Sequence, residues 1–229
     1  MAWRTVRLIC GAPNAYCFPK LVWVLWLAAN LAPGQSPAPA GLADCRPCSF
    51  SPGGKFASFD FTFDLETQGA HRTVRAIDVY QDSQKIQRLP VPDMDPIGLH
   101  EQFFFGGVDV DFDGLLDLML ITRRGVANTY AAYWRFNPRQ GAFQAVGTFP
   151  VFRLDPRRQR LSNYERGGSA GLIHQSREYA FVNGRLTLMR EEKQDATSQA
   201  GAFRKVVRER VNGVLKIVRS ETVIEVRQK

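Results

Sequence analysis

From Phe59 the chain alternates apolar and polar positions through Phe61, Phe63 and Leu65, the period-two pattern of a half-buried strand. Thr73–Tyr80 repeats it. The segment Gln87–Leu99 holds Pro90, Pro92 and Pro96, which remove backbone donors and fix φ, so it reads as a loop or edge crossing. Val126–Phe136 and Ala142–Val146 flank Asn137-Pro138-Arg139-Gln140-Gly141, a turn that joins antiparallel strands. Tyr179–Val182 and Arg185–Met189 flank Asn183-Gly184, and Phe203–Val211 and Val214–Val218 flank Asn212-Gly213. Both turn residues tolerate positive φ, so each pair predicts a hairpin. Glu191–Ala202, rich in Gln, Ser, Thr and Ala, reads as a mobile loop or short helix. No long stretch carries a helical period. The pattern predicts a mainly β protein, an antiparallel barrel or sandwich of about eight strands.

Ahead of the first strand the pattern changes. A basic stretch ends at Lys20, an apolar run spans Leu21–Leu31, and small residues follow at Ala38 and Ala40. That order is the n-region, h-region and cleavage site of a secretory signal, and the run is short of the roughly 20 residues that a spanning helix needs. Residues 1–40 therefore read as a signal peptide and 41–229 as one domain. Leu42-Ala43-Asp44-Cys45 offers a second reading, a lipoprotein box with an acyl anchor on Cys45. Cys10 and Cys17 leave with the signal, and Cys45-Arg46-Pro47-Cys48 remains. In an oxidising compartment this pair predicts a short disulfide, since it precedes a strand rather than the helix N-terminus that a redox-active pair uses.

Composition narrows the function. With 45% hydrophobic and 23% charged residues the chain can bury a sizeable core. The formal charge of +8 falls by three, to +5, when Arg4, Arg7 and Lys20 leave, a balance that steers anionic partners toward the protein. The cations are scattered rather than gathered on one helix, so nucleic acid is not the expected partner. His71, His100 and His174 lie in separate segments, and no nucleophile elbow, zinc helix or phosphate loop occurs. The expectation is a protein that is not an enzyme.

One motif carries chemistry. In Asp109-Val110-Asp111-Phe112-Asp113-Gly114-Leu115-Leu116-Asp117, carboxylates at loop positions one, three, five and nine converge on a point if the backbone turns at Gly114. The Leu115 carbonyl is the fifth oxygen. Hard oxygen donors at flexible distances suit calcium, and carboxylates so crowded repel one another without a cation. Leu120 stands where an EF-hand needs its bidentate Glu, and the flanks read as strands. A propeller would need several copies of this loop, and the chain has one.

Phe105-Gly106-Gly107-Val108-Asp109 through Leu118, then Tyr133–Phe143, Arg166-Gly167-Gly168-Ser169-Ala170-Gly171 and Tyr179–Glu192 resemble, in the same order, a family of bacterial periplasmic proteins related to lysozyme inhibitors, some of them immunity proteins against cell-wall-degrading toxins. The resemblance implies a β-rich fold stabilised by calcium and a loop that plugs a glycosidase cleft. In the inhibitors that loop carries Ser, a small residue and then Tyr. Here Ser169 and Ala170 match its start, and Gly171, Leu172, Ile173 and His174 follow. The resemblance thus points to Arg166, Gly168, Ser169, Ala170 and His174 as the partner-binding loop of an exported, calcium-binding inhibitor or immunity protein, its partner a cell-wall hydrolase or toxin. The second reading is an envelope protein that binds a polysaccharide or another protein without inhibiting it.

Overall fold

A computed structural model describes residues 48–99 and 101–224, all within one compact unit, Gly34–Lys229. The expected signal peptide, the lipid-anchor alternative and the Cys45–Cys48 disulfide fall wholly or partly outside the described residues.

The expected mainly β fold is what the chain adopts, as three antiparallel sheets and one 3-10 turn, Ser169–Gly171, among the described residues. Fifteen strands occur among the described residues, more than the alternation reveals, because several are only two to four residues long. The first sheet holds β1 (Cys48–Phe50), β2 (Phe59–Gln68), β3 (His71–Gln81) and β4 (Gln84–Pro90) in that order, with β5 (Ile97–Gly98) also on β3. The second holds β6 (Phe105–Val108), β7 (Asp117–Arg124), β8 (Thr129–Asn137) and β9 (Ala142–Pro150). The third holds β10 (Arg153–Asp155), β11 (Arg160–Arg166), β12 (His174–Val182), β13 (Arg185–Ala196), β14 (Ala202–Val211) and β15 (Val214–Ile224). None of the three closes into a barrel among the described residues; the arrangement is sandwich-like.

The second sheet is covered on both faces. Leu118 and Leu120 of β7 and Ala132, Trp134 and Phe136 of β8 pack with Phe59, Phe61, Val74, Ile77 and Val79 of the first sheet. The intervening residues, Met119, Ala131 and Tyr133, pack with Leu161 and Tyr179 of the third. Alternation puts successive side chains on opposite faces, so these strands are apolar at nearly every position. A strand with one solvated face, which the alternation of Tyr133, Trp134 and Phe136 by itself suggests, is therefore not what forms: Trp134 is 2% exposed and Tyr133 1%. Phe103 and Phe105 enter the first core just ahead of the acidic loop, and Arg124 lies over the Phe104 ring at 3.9 Å.

All three predicted turns form. Asn183 and Gly184 have φ 50° and 72°, and Asn212 and Gly213 have 51° and 79°, the left-handed values that a type I′ hairpin requires. At Asn137–Gly141 the Asn137 carbonyl accepts from the Gly141 amide at 2.9 Å. Two expectations are corrected. Gln87–Leu99 begins as strand β4, whose last residue is Pro90. Glu191–Ala196, expected as loop or helix, is the second half of β13. Its charges face partners across the sheet, Glu191 with Arg177 and Arg208 and Glu192 with Lys205, so cross-strand pairing replaces the apolar alternation that would have marked it.

Candidate metal centre and partner-binding loop

The acidic loop joins β6 to β7. Phe112 and Gly114 take φ 61° and 84°, and two reversals so close together fold the loop back on itself. Its oxygens then organise its amides: Asp109 accepts from Gly114 N at 3.0 Å, Asp111 from Asp113 N at 3.3 Å and Asp113 from Leu115 N at 2.8 Å. Ser51–Phe56 lies against it, with Leu116 N donating to the Pro52 carbonyl at 2.7 Å.

Three of the four predicted carboxylates come together. Asp109, Asp111 and Asp117 each offer an oxygen, and these atoms all lie within 4.8 Å of one another. Asp113 is exposed and is not part of that group. Leu115 turns its side chain toward the first core. Asp117 is the floor, 1% exposed; its two oxygens accept from Val110 N at 2.9 Å and Phe136 N at 2.7 Å, tying the loop to the end of β8. Asp109 Oδ1 is buried with no hydrogen-bond partner among the described residues.

Burial pushes all three carboxyls upward. Asp117 rises to about 8, burial outweighing the Phe136 and Val110 amides. Asp111 rises to about 6, through burial and then the charge of Asp113, with Arg135 pulling the other way. Asp109 also rises, again chiefly through burial. Arg135, on β8, reaches Asp111 at 3.4 Å. A buried, unpartnered oxygen in a set of hard oxygen donors, with the charges held close against their repulsion, fits a divalent oxygen-seeking cation. Asp109, Asp111 and Asp117 are the residues that would hold it.

The predicted partner loop joins β11 to β12. Arg166, Gly168, Ser169 and Ala170 are exposed. Ser169 and Ala170 take φ 54° and 53°, uncommon for consecutive non-glycine residues. Gly167 N donates to the Ile173 carbonyl at 2.8 Å across the neck. Asn128, in the β7–β8 turn, clamps the base, accepting from Arg166 N at 2.7 Å and donating to the Arg166 carbonyl at 2.8 Å. His174 is half-buried: it stacks on Tyr164 with centroids 5.4 Å apart, and its Nδ1 is 3.2 Å from the Gly171 carbonyl oxygen.

One residue at this loop has no signal in the spacing: Asn128 sits 38 positions from Arg166. Tyr164, 50% exposed, stands two positions ahead of Arg166 on β11, so the loop has a tyrosine beside it though none within it. The acidic loop lies at the opposite end of β7 from the Asn128 turn, about 25 Å away at roughly 3.4 Å per residue. What adjoins Arg135, the neighbour of Asp111, is the β12–β13 turn: a Cβ on Gly184 would meet Arg135 Nη1 at 3.2 Å.

No protein-family model matches the chain, and no curated protein matches it. Among solved structures the chain is similar to a Xanthomonas type IV secretion system related protein, with a TM-score of 0.50 and 15% identity over 79% of this chain and 98% of the other. At that identity the likeness is one of fold.

Proposed function

We propose that the protein is an exported, calcium-stabilised binding protein without catalytic activity that inhibits a cell-wall hydrolase of the lysozyme type, the Arg166–His174 loop entering the enzyme's cleft. The observation that carries this reading is the loop itself. Exposed residues held in an uncommon backbone conformation mark a candidate functional element, and Ser169 and Ala170 are so held, in a loop clamped at Arg166 by Asn128, closed by the Gly167–Ile173 bond and ending at the Tyr164–His174 stack. Such bracing lowers the ordering cost of association. Tyr164 supplies beside the loop the aromatic that the resembling inhibitors carry within it. The structural neighbour's connection with a secretion system is in keeping with a protein of the cell envelope, and no helix among the described residues is long and apolar enough to cross a membrane. The protein's excess of cations favours an acidic enzyme as target.

Calcium does no chemistry in this reading. Asp109, Asp111 and Asp117 hold it, and their mutual repulsion becomes coordination. Asp117 already joins the β6–β7 loop to β8 through two amides, so the ion secures one end of the central sheet.

The test is residual activity of lysozyme-like hydrolases, acidic and basic, with the protein added. Inhibition of an acidic member, weakened at least tenfold by Ser169→Ala or His174→Ala, is the expected result. Inhibition that neither substitution changes would remove the loop from the interface. No inhibition across the panel would favour the second reading, a polysaccharide- or protein-binding envelope protein, for which the exposed Tyr164 ring is the stacking surface.

A further inference from the structure

Between the ends of β8 and β9 and the β12–β13 turn lies an open cleft of about 230 Å³. Arg135, Gln144, Phe181, Arg185 and Leu186 are among the residues that line it. The Arg135 side chain is 18% exposed, and among the described residues its hydrogen bonds are few and long, to Asp111 at 3.4 Å and Gln144 at 3.3 Å. A guanidinium has five N–H donors, so most of its capacity is unspent. The Phe181 ring lies 5.9 Å from Arg135 Cζ and limits hydration on that side. Arg185 is exposed and makes no ion pair among the described residues. Among the described residues no acid lines the cleft, and the carboxylate that Arg135 reaches is Asp111, on the acidic loop.

We propose that this cleft is a subsite for a carboxylate group, bound between the guanidinium groups of Arg135 and Arg185, and that Asp111 governs its affinity. Arg135 is shared: its planar fork matches a carboxylate bidentately, yet one edge is turned to Asp111. A cation on the acidic loop engages Asp111 and leaves Arg135 to the incoming anion, and the added positive charge strengthens the pull on that anion. By reciprocity the anion also draws Arg135 from Asp111 and favours the cation. This inference rests on the reading of Asp109, Asp111 and Asp117 as a cation site; it does not depend on inhibition of a hydrolase.

Acetate serves as the probe, titrated into the purified protein by nuclear magnetic resonance with the arginine Nε–H signals observed, in chelator and in millimolar calcium. Acetate should bind about fivefold or more tightly with calcium, the lower end of ordinary coupling between sites. Arg135→Gln should abolish that gain and bind calcium more tightly than the unaltered protein, because a competing cation beside Asp111 is gone. Arg185→Gln, on the exposed rim, should weaken acetate binding and leave calcium affinity unchanged. Acetyl-aspartyl amide and glucuronate then separate a protein from a saccharide source of the carboxylate.

Equal acetate affinity with and without calcium, in a protein that binds calcium, overturns this inference and leaves the cation site standing. Weaker calcium binding by Arg135→Gln overturns it too, since Arg135 would then be a prop of the acidic loop. Absence of calcium binding in the unaltered protein overturns both.

Discussion

Folding carries Asp117 from water to a position where 1% of it stays exposed, beside the carboxylates of Asp109 and Asp111. A carboxyl raised from an ordinary 3.8 to about 8 binds its proton more tightly in the folded chain than in the unfolded one. In chelator, stability is therefore expected to fall as pH climbs from about 4 toward 8, with Asp111, raised to about 6, adding to the slope in the lower half of that window. With calcium on the site the carboxylates are stabilised as anions and the decline should vanish. Melting curves in chelator and in calcium across that range check this. Asp111→Ala should remove most of the difference between the two series; a calcium-dependent rise that survives it would place the ion elsewhere. This much of the centre was legible in the sequence, since acids at alternate positions with Gly114 between them prescribe their own convergence. The exclusion of Asp113 from the group was not, because the backbone reversals at Phe112 and Gly114 decide which oxygens turn inward.

At the scale of elements, hairpins with an Asn-Gly turn announce themselves, while β13 hides half its length. Arg185–Met189 has an apolar alternation to read, but Glu191–Ala196 owes its strand to charges on β12 and β14 that only the register brings near. Burial pushes the Glu191 carboxyl up, yet hydrogen bonds from Arg208, Arg177 and Gln175 outweigh it and hold the group below its usual value. Glu191→Ala strands the Arg208 guanidinium and leaves Arg177 with Glu165 as its acidic partner, and should cost about 2 kcal/mol, in line with hydrogen bonds to charged partners. Chemical denaturation measures it; a loss under about 0.5 kcal/mol would reduce the cluster to the worth of ordinary surface pairs. The short strands β5 and β10 carry no sequence signal at all. Two or three residues cannot display a period.

For the molecule as a whole, the layering rests on a central sheet with two buried faces. Alternation in β2 and β3 was readable because those strands have a solvated face. The near-continuous apolar run of β8 conveys burial without saying what covers each side. Trp134 fills the first core beside Phe136 and Leu118, and Trp134→Ala should cost about 3–5 kcal/mol by lost transfer and cavity formation, read as a lower denaturation midpoint at unchanged slope. The layering also separates the acidic loop from the Arg166–His174 loop by the length of β7. Chelation should thus lower the melting temperature yet leave the Asn128 and Arg166 amide resonances where they are. Displacement of those resonances on chelation would mean that the central sheet transmits strain along its strands.

One margin of the third sheet has no further strand beside it among the described residues. Strand β15 is eleven residues of edge, with Val214, Ile217, Val218 and Ile224 exposed, and an edge of that length is a template on which another chain can lay down a strand. Lys216, Arg219 and Glu221 interrupt it, Arg219 bound to Glu221 at 2.6 Å, and Val218 is the extra residue of a bulge against β14. Charges and a bulge of this kind guard an edge against pairing with another chain. Replacing Arg219 and Glu221 together by Val is expected to leave the melting temperature nearly unchanged while turbidity grows with concentration, so that the colloidal fate of the protein is decided at a sheet edge and not in its cores.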